Sequence, residues 1–301
     1  MGYSARYHAA SLAAVFVALA VGILIGVGLG SDVISGTAED LERSLASDLD
    51  EAQARVGELE AELEAEREFS RQVSPTIVAG TLRGREIALI GLGGLGQDVT
   101  ADVEEAVGAA GASLAEVAVV RLPPDLDALA SPLKGTDARA VSRGGEEELL
   151  RYAERAGRTL VGGGPRFDEL RRAMLSRYSG SPEGIDGVVV VRQLPDDLDP
   201  GAEVTSGAIE GGLIDGLRSR AETVGAERTD ADPSSIEFFE QNGIASVDNV
   251  ELNSGQVALV FALDGAAGSF GIKETADGLL PDLLPSPAGE TGSGPDGDGG
   301  S

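Results

Sequence analysis

The chain has no cysteine, no tryptophan, two methionines, one histidine and two lysines in 301 residues. Without cysteine there is no disulfide framework, thiolate metal site, lipobox or redox motif, a lack compatible with either side of a membrane. The single histidine, His8, leaves hydrolytic catalysis without a candidate triad. Met1 and Met174 are the only thioethers, so a copper site selected by Cys, Met or His clusters has no such cluster to draw on. Aromatics are 4% of the chain, which argues against an aromatic-girdled transmembrane β-barrel. Lys134 and Lys273 stand beside twenty-one arginines, and the formal charge of −28 repels nucleic acid and anionic membrane surfaces.

What is present begins with Tyr7 to Ser31, YHAASLAAVFVALAVGILIGVGLGS, which carries no formal charge with His8 neutral. At ~1.5 Å rise per residue, some 20 such residues span a hydrocarbon core of ~30 Å. Arg6 and the terminal amine precede the run, and Asp32, Glu39 and Asp40 follow it. The positive-inside bias therefore predicts a cytoplasmic N-terminus and translocation of residues 32–301. A cleaved signal peptide, with Gly28 and Gly30 before the cut, is the rival reading, but the run exceeds the ~7–15 residues of a secretory apolar region. His8 reads as an interfacial polar residue at the end of the helix.

Thr37 to Arg71 is rich in Glu, Ala, Leu and Arg, with a single glycine. Leu45, Leu49, Ala52, Val56, Leu59 and Leu63 step by four and three, placing them on one seam of a helix. Such a stripe predicts a coiled-coil stalk, associating as a parallel dimer of copies anchored alike. The alternative is a helix folded back on its own globular domain, and the acidic surface around Glu62 and Glu64 opposes association. The seam weakens at Glu66 and Ser70, and Ser74-Pro75 is expected to interrupt it.

From Arg85, short apolar runs alternate with helical patterns and Gly-rich connections, the signature of an α/β domain. Strands are expected at Glu86–Ile90, Leu114–Val120 and Gly187–Arg192, with a weaker one at Thr223–Glu227. Helices are expected at Val99–Ala110, Glu146–Gly157, Arg166–Tyr178 and Leu213–Ala221, with a short one through Ile236, Phe238 and Phe239 that ends at Gly243. Ile244–Val250 reads as extended. Gln256–Leu263 is buried, and periodicity leaves helix and strand both open. Pro281 to Ser301, poor in apolar residues, reads as a disordered tail.

The sharpest motif is Gly91-Leu92-Gly93-Gly94-Leu95-Gly96, a G-x-G-x-x-G between an expected strand and an expected helix. Gly91, Gly93 and Gly96 would let a backbone approach a pyrophosphate. The acidic residue expected after the next strand is missing, since Val119-Val120 lead into Arg121, and a plain strand–turn–helix crossover is the simpler reading. Gly162-Gly163-Gly164-Pro165 reads as a helix-breaking link. Glu146–Glu148 and Asp196-Asp197-Asp199 lack EF-hand spacing and read as solvated acidic loops rather than cation sites. No catalytic residue, cofactor or metal ligand is assigned, and an enzyme is not expected.

Two stretches resemble the actinobacterial MctB-type copper transporter family. One is Tyr7-His8-Ala9-Ala10-Ser11-Leu12-Ala13-Ala14-Val15-Phe16 with Val21-Gly22-Ile23-Leu24-Ile25-Gly26. The other comprises Val247-Asp248-Asn249-Val250, Gly255-Gln256-Val257-Ala258-Leu259-Val260, Gly268-Ser269-Phe270-Gly271-Ile272-Lys273 and Leu279-Leu280-Pro281. Phe270 stands where relatives are expected to carry Tyr. The resemblance implies a cell-envelope protein of copper transport or copper homeostasis, acting in efflux or tolerance and described for the family as an outer-membrane channel. A single helix with no polar stripe does not line a pore by itself.

The expected organisation is a cytoplasmic tip and transmembrane anchor at 1–32, a coiled-coil stalk at 33–74, one Rossmann-like or flavodoxin-like α/β domain at 75–281 and an acidic Gly/Pro/Ser tail at 282–301. The competing function is a non-catalytic envelope scaffold that recruits partners through stalk and domain. The partners expected are the membrane and a second copy of the chain, with copper ion entering only through the resemblance.

Overall fold

The structure is a computed structural model that describes residues 5–195 and 197–282, with the side chains of these residues except 5–9 and 28–43. The expected tail lies, from residue 283 onward, outside the described residues. The chain divides into two compact units, Met1–Glu68 and Phe69–Ser301.

The first unit is helical. One helix, α1, runs Ala5–Val78 over 74 residues and so joins the expected anchor and stalk without a break. Its window Ala10–Val27 has a mean hydropathy of 2.6 and no buried residue, and is long and apolar enough to cross a membrane. Leu45, Leu49, Val56, Leu59 and Leu63 are 49–59% exposed along the same helix. The expected interruption at Ser74-Pro75 is corrected, because α1 passes Pro75 and ends at Val78. Proline there forfeits one hydrogen bond only a turn from the helix end. Val78, 3% exposed, packs with Leu82 into a core cluster, and its carbonyl accepts from Thr81 N at 3.1 Å, which holds the last turn.

The second unit is a seven-stranded sheet between helices. Its strands are β1 (Glu86–Leu92), β2 (Ser113–Val120), β3 (Leu175–Gly180), β4 (Ile185–Arg192), β5 (Glu222–Ala226), β6 (Ala245–Val247) and β7 (Ser269–Phe270). They lie in the order β3-β2-β1-β4-β5-β6-β7, and every pairing is parallel except β2 with β3. Central strands such as β4, with Val188 to Val191 buried, read as continuous apolar runs because helices cover both faces.

On one face lie α3 (Leu126–Ala130), α4 (Gly135–Ser142), α5 (Glu146–Gly162), α6 (Phe167–Met174), α7 (Pro200–Arg218) and α8 (Ile236–Gln241), packed around Ile90, Val188 and Val190. On the other lie α2 (Gln97–Ala109) and α9 (Asn253–Leu263), packed around Leu89, Val189 and Val224. The segment left open as helix or strand, Gln256–Leu263, is therefore the body of α9.

Three local expectations change. The expected helix Arg166–Tyr178 stops at Met174, and Leu175–Gly180 forms the antiparallel edge strand β3. Of the expected helix Leu213–Ala221, only Leu213–Arg218 is helical, as the last third of a helix that starts thirteen residues earlier, at Pro200, where the Asp199 carboxylate accepts from Gly201 N and Ala202 N. Of Ile244–Val250, only Ala245–Val247 is strand.

Candidate functional site

From β1 the chain first builds β2 and β3 on one side and then returns to β4 on the other. The ends of β1 and β4 therefore flank a reversal of strand order, where open α/β sheets form crevices. Gly91, Gly93 and Gly96 all lie at this point. The crevice is occupied by the chain itself. Gly93 has φ +85°, and a Cβ there would lie 2.5 Å from Gln193 O; one on Gly94 would lie 2.8 Å from Gln193 Oε1. Gly91 is equally confined, 2.6 Å from Gly94 O. Close packing on Gln193 thus accounts for Gly93 and Gly94, and the turn's own Gly94 carbonyl accounts for Gly91. Gly96 precedes α2 in open space, but Asp98 puts a negative charge in that helix's first turn. Arg121, which stands where the motif expects an acidic residue, donates from its backbone to Met174 O at 2.9 Å and from Nη2 to Leu175 O at 3.4 Å.

Beside the crevice, Arg192 at the end of β4 holds the buried Glu210 of α7 through Nε at 2.7 Å and Nη2 at 3.3 Å. Its guanidinium also stacks 4.5 Å above the Phe238 ring. Burial raises the Glu210 carboxyl above the ordinary range, and the Arg192 bonds oppose that rise.

A second polar constellation forms where β5, β6 and β7 end. Glu227, following β5, is 3% exposed: Oε1 accepts from Ser234 Oγ at 2.6 Å and Lys273 Nζ at 2.5 Å, and Oε2 from Ser235 N at 2.6 Å. Lys273 Nζ also donates to Ala231 O at 3.2 Å. Asp248, following β6, accepts from Ile272 N at 2.8 Å and Lys273 N at 2.9 Å. A Cβ on Gly271, φ +143°, would lie 2.0 Å from Asp248 Oδ1, so only glycine lets the chain pass. Asn249 Nδ2 donates to Ser254 Oγ at 3.2 Å, while its Oδ1 has no partner. A Cβ on Gly255 would lie 2.0 Å from Asn249 O.

The motifs Val247–Val250, Gly255–Val260 and Gly268–Lys273 thus converge on one place, and the two carboxylates strap residues 271–273 over the strand ends. Phe270, 5% exposed, fills the adjoining core. At the rim, Arg228 Nη1 reaches Asp102 at 2.5 Å, and the Glu251 carboxylate accepts from Thr229 N at 3.0 Å. Burial raises the Asp102 carboxyl, with Arg228 pulling the other way.

Glu116, in the middle of β2, is 1% exposed, and neither of its oxygens has a partner. Burial pushes its carboxyl up to about 8. The hydroxyl of Tyr178, on the adjoining β3, is also unpartnered and is pushed up to about 12 by burial, with the Glu116 charge adding. Sequence reasoning passed over Glu116, although one acid inside Leu114–Val120 was a visible irregularity. Glu227, Gln193 and the Arg192–Glu210 pair carried no local signal.

The acidic clusters have structural partners, and Glu146–Glu148 are the first turn of α5 rather than the expected loop. Glu147 and Glu148 pair with Arg151 at 3.1 and 3.2 Å, and Asp199 caps α7. Asp196 and the His8 side chain lie outside the described residues. Met174 is buried in the core. Among the described residues, no three His, Asp or Glu side chains converge as a metal-binding group.

The molecule is thus an α/β protein that carries one N-terminal apolar helix of membrane-spanning length. The chain belongs to the family described as copper transport outer membrane protein, MctB, which it matches over residues 3–143 and 165–281. Both stretches quoted above fall inside the matched ranges. Among the curated proteins compared with it, none matches.

Proposed function

We propose that this chain is a single-span protein of the cell envelope with a cytoplasmic N-terminus and an extracytoplasmic, flavodoxin-like domain, serving copper efflux or tolerance as an assembly component, with no enzymatic activity. The match to the copper transport family carries the copper role. The assembly role is carried by one observation, the exposed apolar seam from Leu45 to Leu63 on the same helix as the apolar span, beyond it. One span cannot enclose a pore, and a seam of heptad spacing suits self-association. In this reading copper is cargo handled by the assembly, since no thiolate is present and thioethers and imidazole are too few to build a soft-metal cage.

The test combines copper tolerance on deletion of the chain with equilibrium dialysis of the full-length protein against Cu(I) and Cu(II). Lower tolerance without stoichiometric binding by the isolated chain is the expected pair of results. Unchanged tolerance with no binding would favour the second reading, an envelope scaffold without a metal role. That reading is favoured by the saturation of Glu227 and Asp248 with donors from the protein itself.

A further inference from the structure

The stalk seam fixes a heptad frame in which Leu49, Val56 and Leu63 are a positions and Leu45, Ala52 and Leu59 are d positions. In that frame Asp48, Arg55 and Glu62 occupy g, while Gln53, Glu60 and Arg67 occupy e. In a parallel two-stranded coiled coil, the g residue of one chain lies beside the e residue of the next heptad on the other.

With the copies in register, Arg55 then meets Glu60 and Glu62 meets Arg67 of the second copy. Twofold symmetry makes four attractive pairs, and Asp48 meets the neutral Gln53. A slip of one heptad would instead set Asp48 against Glu60, Arg55 against Arg67 and Glu62 against Glu60, all of like sign. Arg55 already pairs with Glu51 of its own helix at 2.8 Å, but both side chains are more than two-thirds exposed. Such a pair contributes little, so exchanging it for a partner across the seam costs little.

Resting on the self-association reading above, we infer that residues 45–67 of two copies form a parallel, in-register coiled coil whose register is selected by the pairs Arg55 with Glu60 and Glu62 with Arg67. The apolar seam supplies the attraction and the flanking charges reject the slipped alignment.

Two full-length variants in detergent micelles test this, Arg55→Glu/Arg67→Glu and Glu60→Arg/Glu62→Arg. Each makes all four contacts repulsive with itself and attractive with the other. Each alone should self-associate about tenfold or more weakly than the parent at low salt, and mixing them should restore dimers as heterodimers. Because the parent lacks cysteine, Leu49→Cys reports register directly: it should cross-link to itself and fail to cross-link to a Val56→Cys copy. Self-association of both charge variants at parental strength, no recovery on mixing, or cross-linking of position 49 to position 56 would overturn the register while leaving association standing. A parent chain that stays monomeric at all concentrations would overturn the self-association reading together with this one.

Discussion

The two units treat apolar side chains in opposite ways. In the second, Ile87, Leu89, Ile90 and Val188 to Val190 are fully enclosed. In the first, Leu24 is 79% exposed and Leu45 to Leu63 are about half exposed. Burying a Leu-sized side chain is worth roughly 1.5–3 kcal/mol, and among the described residues between Leu12 and Leu63 fifteen large apolar side chains are exposed, so this helix offers an apolar surface for a partner to cover. Hydrocarbon suits Ala10–Val27, and a second copy suits the seam. Polar groups invert the contrast: the second unit saturates its buried carboxylates at Glu227 and Asp248, with Glu116 as the exception.

The largest break in that contrast should come from Gly271→Ala. The added Cβ meets Asp248 Oδ1 in a backbone region unfavourable to alanine, and a loss on the order of 4 kcal/mol is expected in denaturant unfolding of the second unit. Lys273→Met leaves the buried Glu227 without its cation, and a cost of about 3 kcal/mol is expected by the same measurement.

Glu116 should act in the reverse direction. Its folded-state carboxyl at about 8 lies above the ordinary value of 4.5, so between these values the folded state holds a proton that the unfolded state has released. Stability from this group is thus full below about pH 4.5 and is lost as pH rises through 8. Glu116→Gln should flatten that slope and stabilise by on the order of 2 kcal/mol at pH 8, read from unfolding midpoints across pH. The smallest effect sharpens the contrast instead. Leu59→Ala should change unfolding of the second unit by less than about 0.5 kcal/mol while weakening self-association of the full chain in analytical ultracentrifugation.

Much of the architecture was legible in the residues. The run β1, turn, α2 followed from Glu86–Ile90, the glycines and Val99–Ala110, and Gly187–Arg192 became the core of β4. Arg166–Tyr178 misled because Phe167, Leu170, Met174 and Leu175 keep helical spacing. The strand at Leu175–Gly180 forms because β2 presents a row of unpaired backbone groups to it, with Leu175 opposite Val120 and Tyr178 opposite Ala118. Gln256–Leu263 is apolar on every face, so no period could separate helix from strand until α9 packed against the sheet. At the candidate site, Gly91, Gly93 and Gly94 were visible as a motif, but Gln193, which confines Gly93 and Gly94, lies about a hundred residues further on.

By itself the sequence determined the apolar span, the heptad seam with its flanking charges, and the alternation of strand and helix. Each is a repeat of period 2 or 3.5–3.6 written in neighbouring residues, and local geometry turns such repeats into faces. Tertiary structure alone decided which polar groups are used up. Glu227 meets a lysine 46 residues away, Asp248 meets backbone amides 24 and 25 residues away, and Glu116 meets none. Such partners are set by how the sheet orders its strands, and no local pattern along the chain records that order.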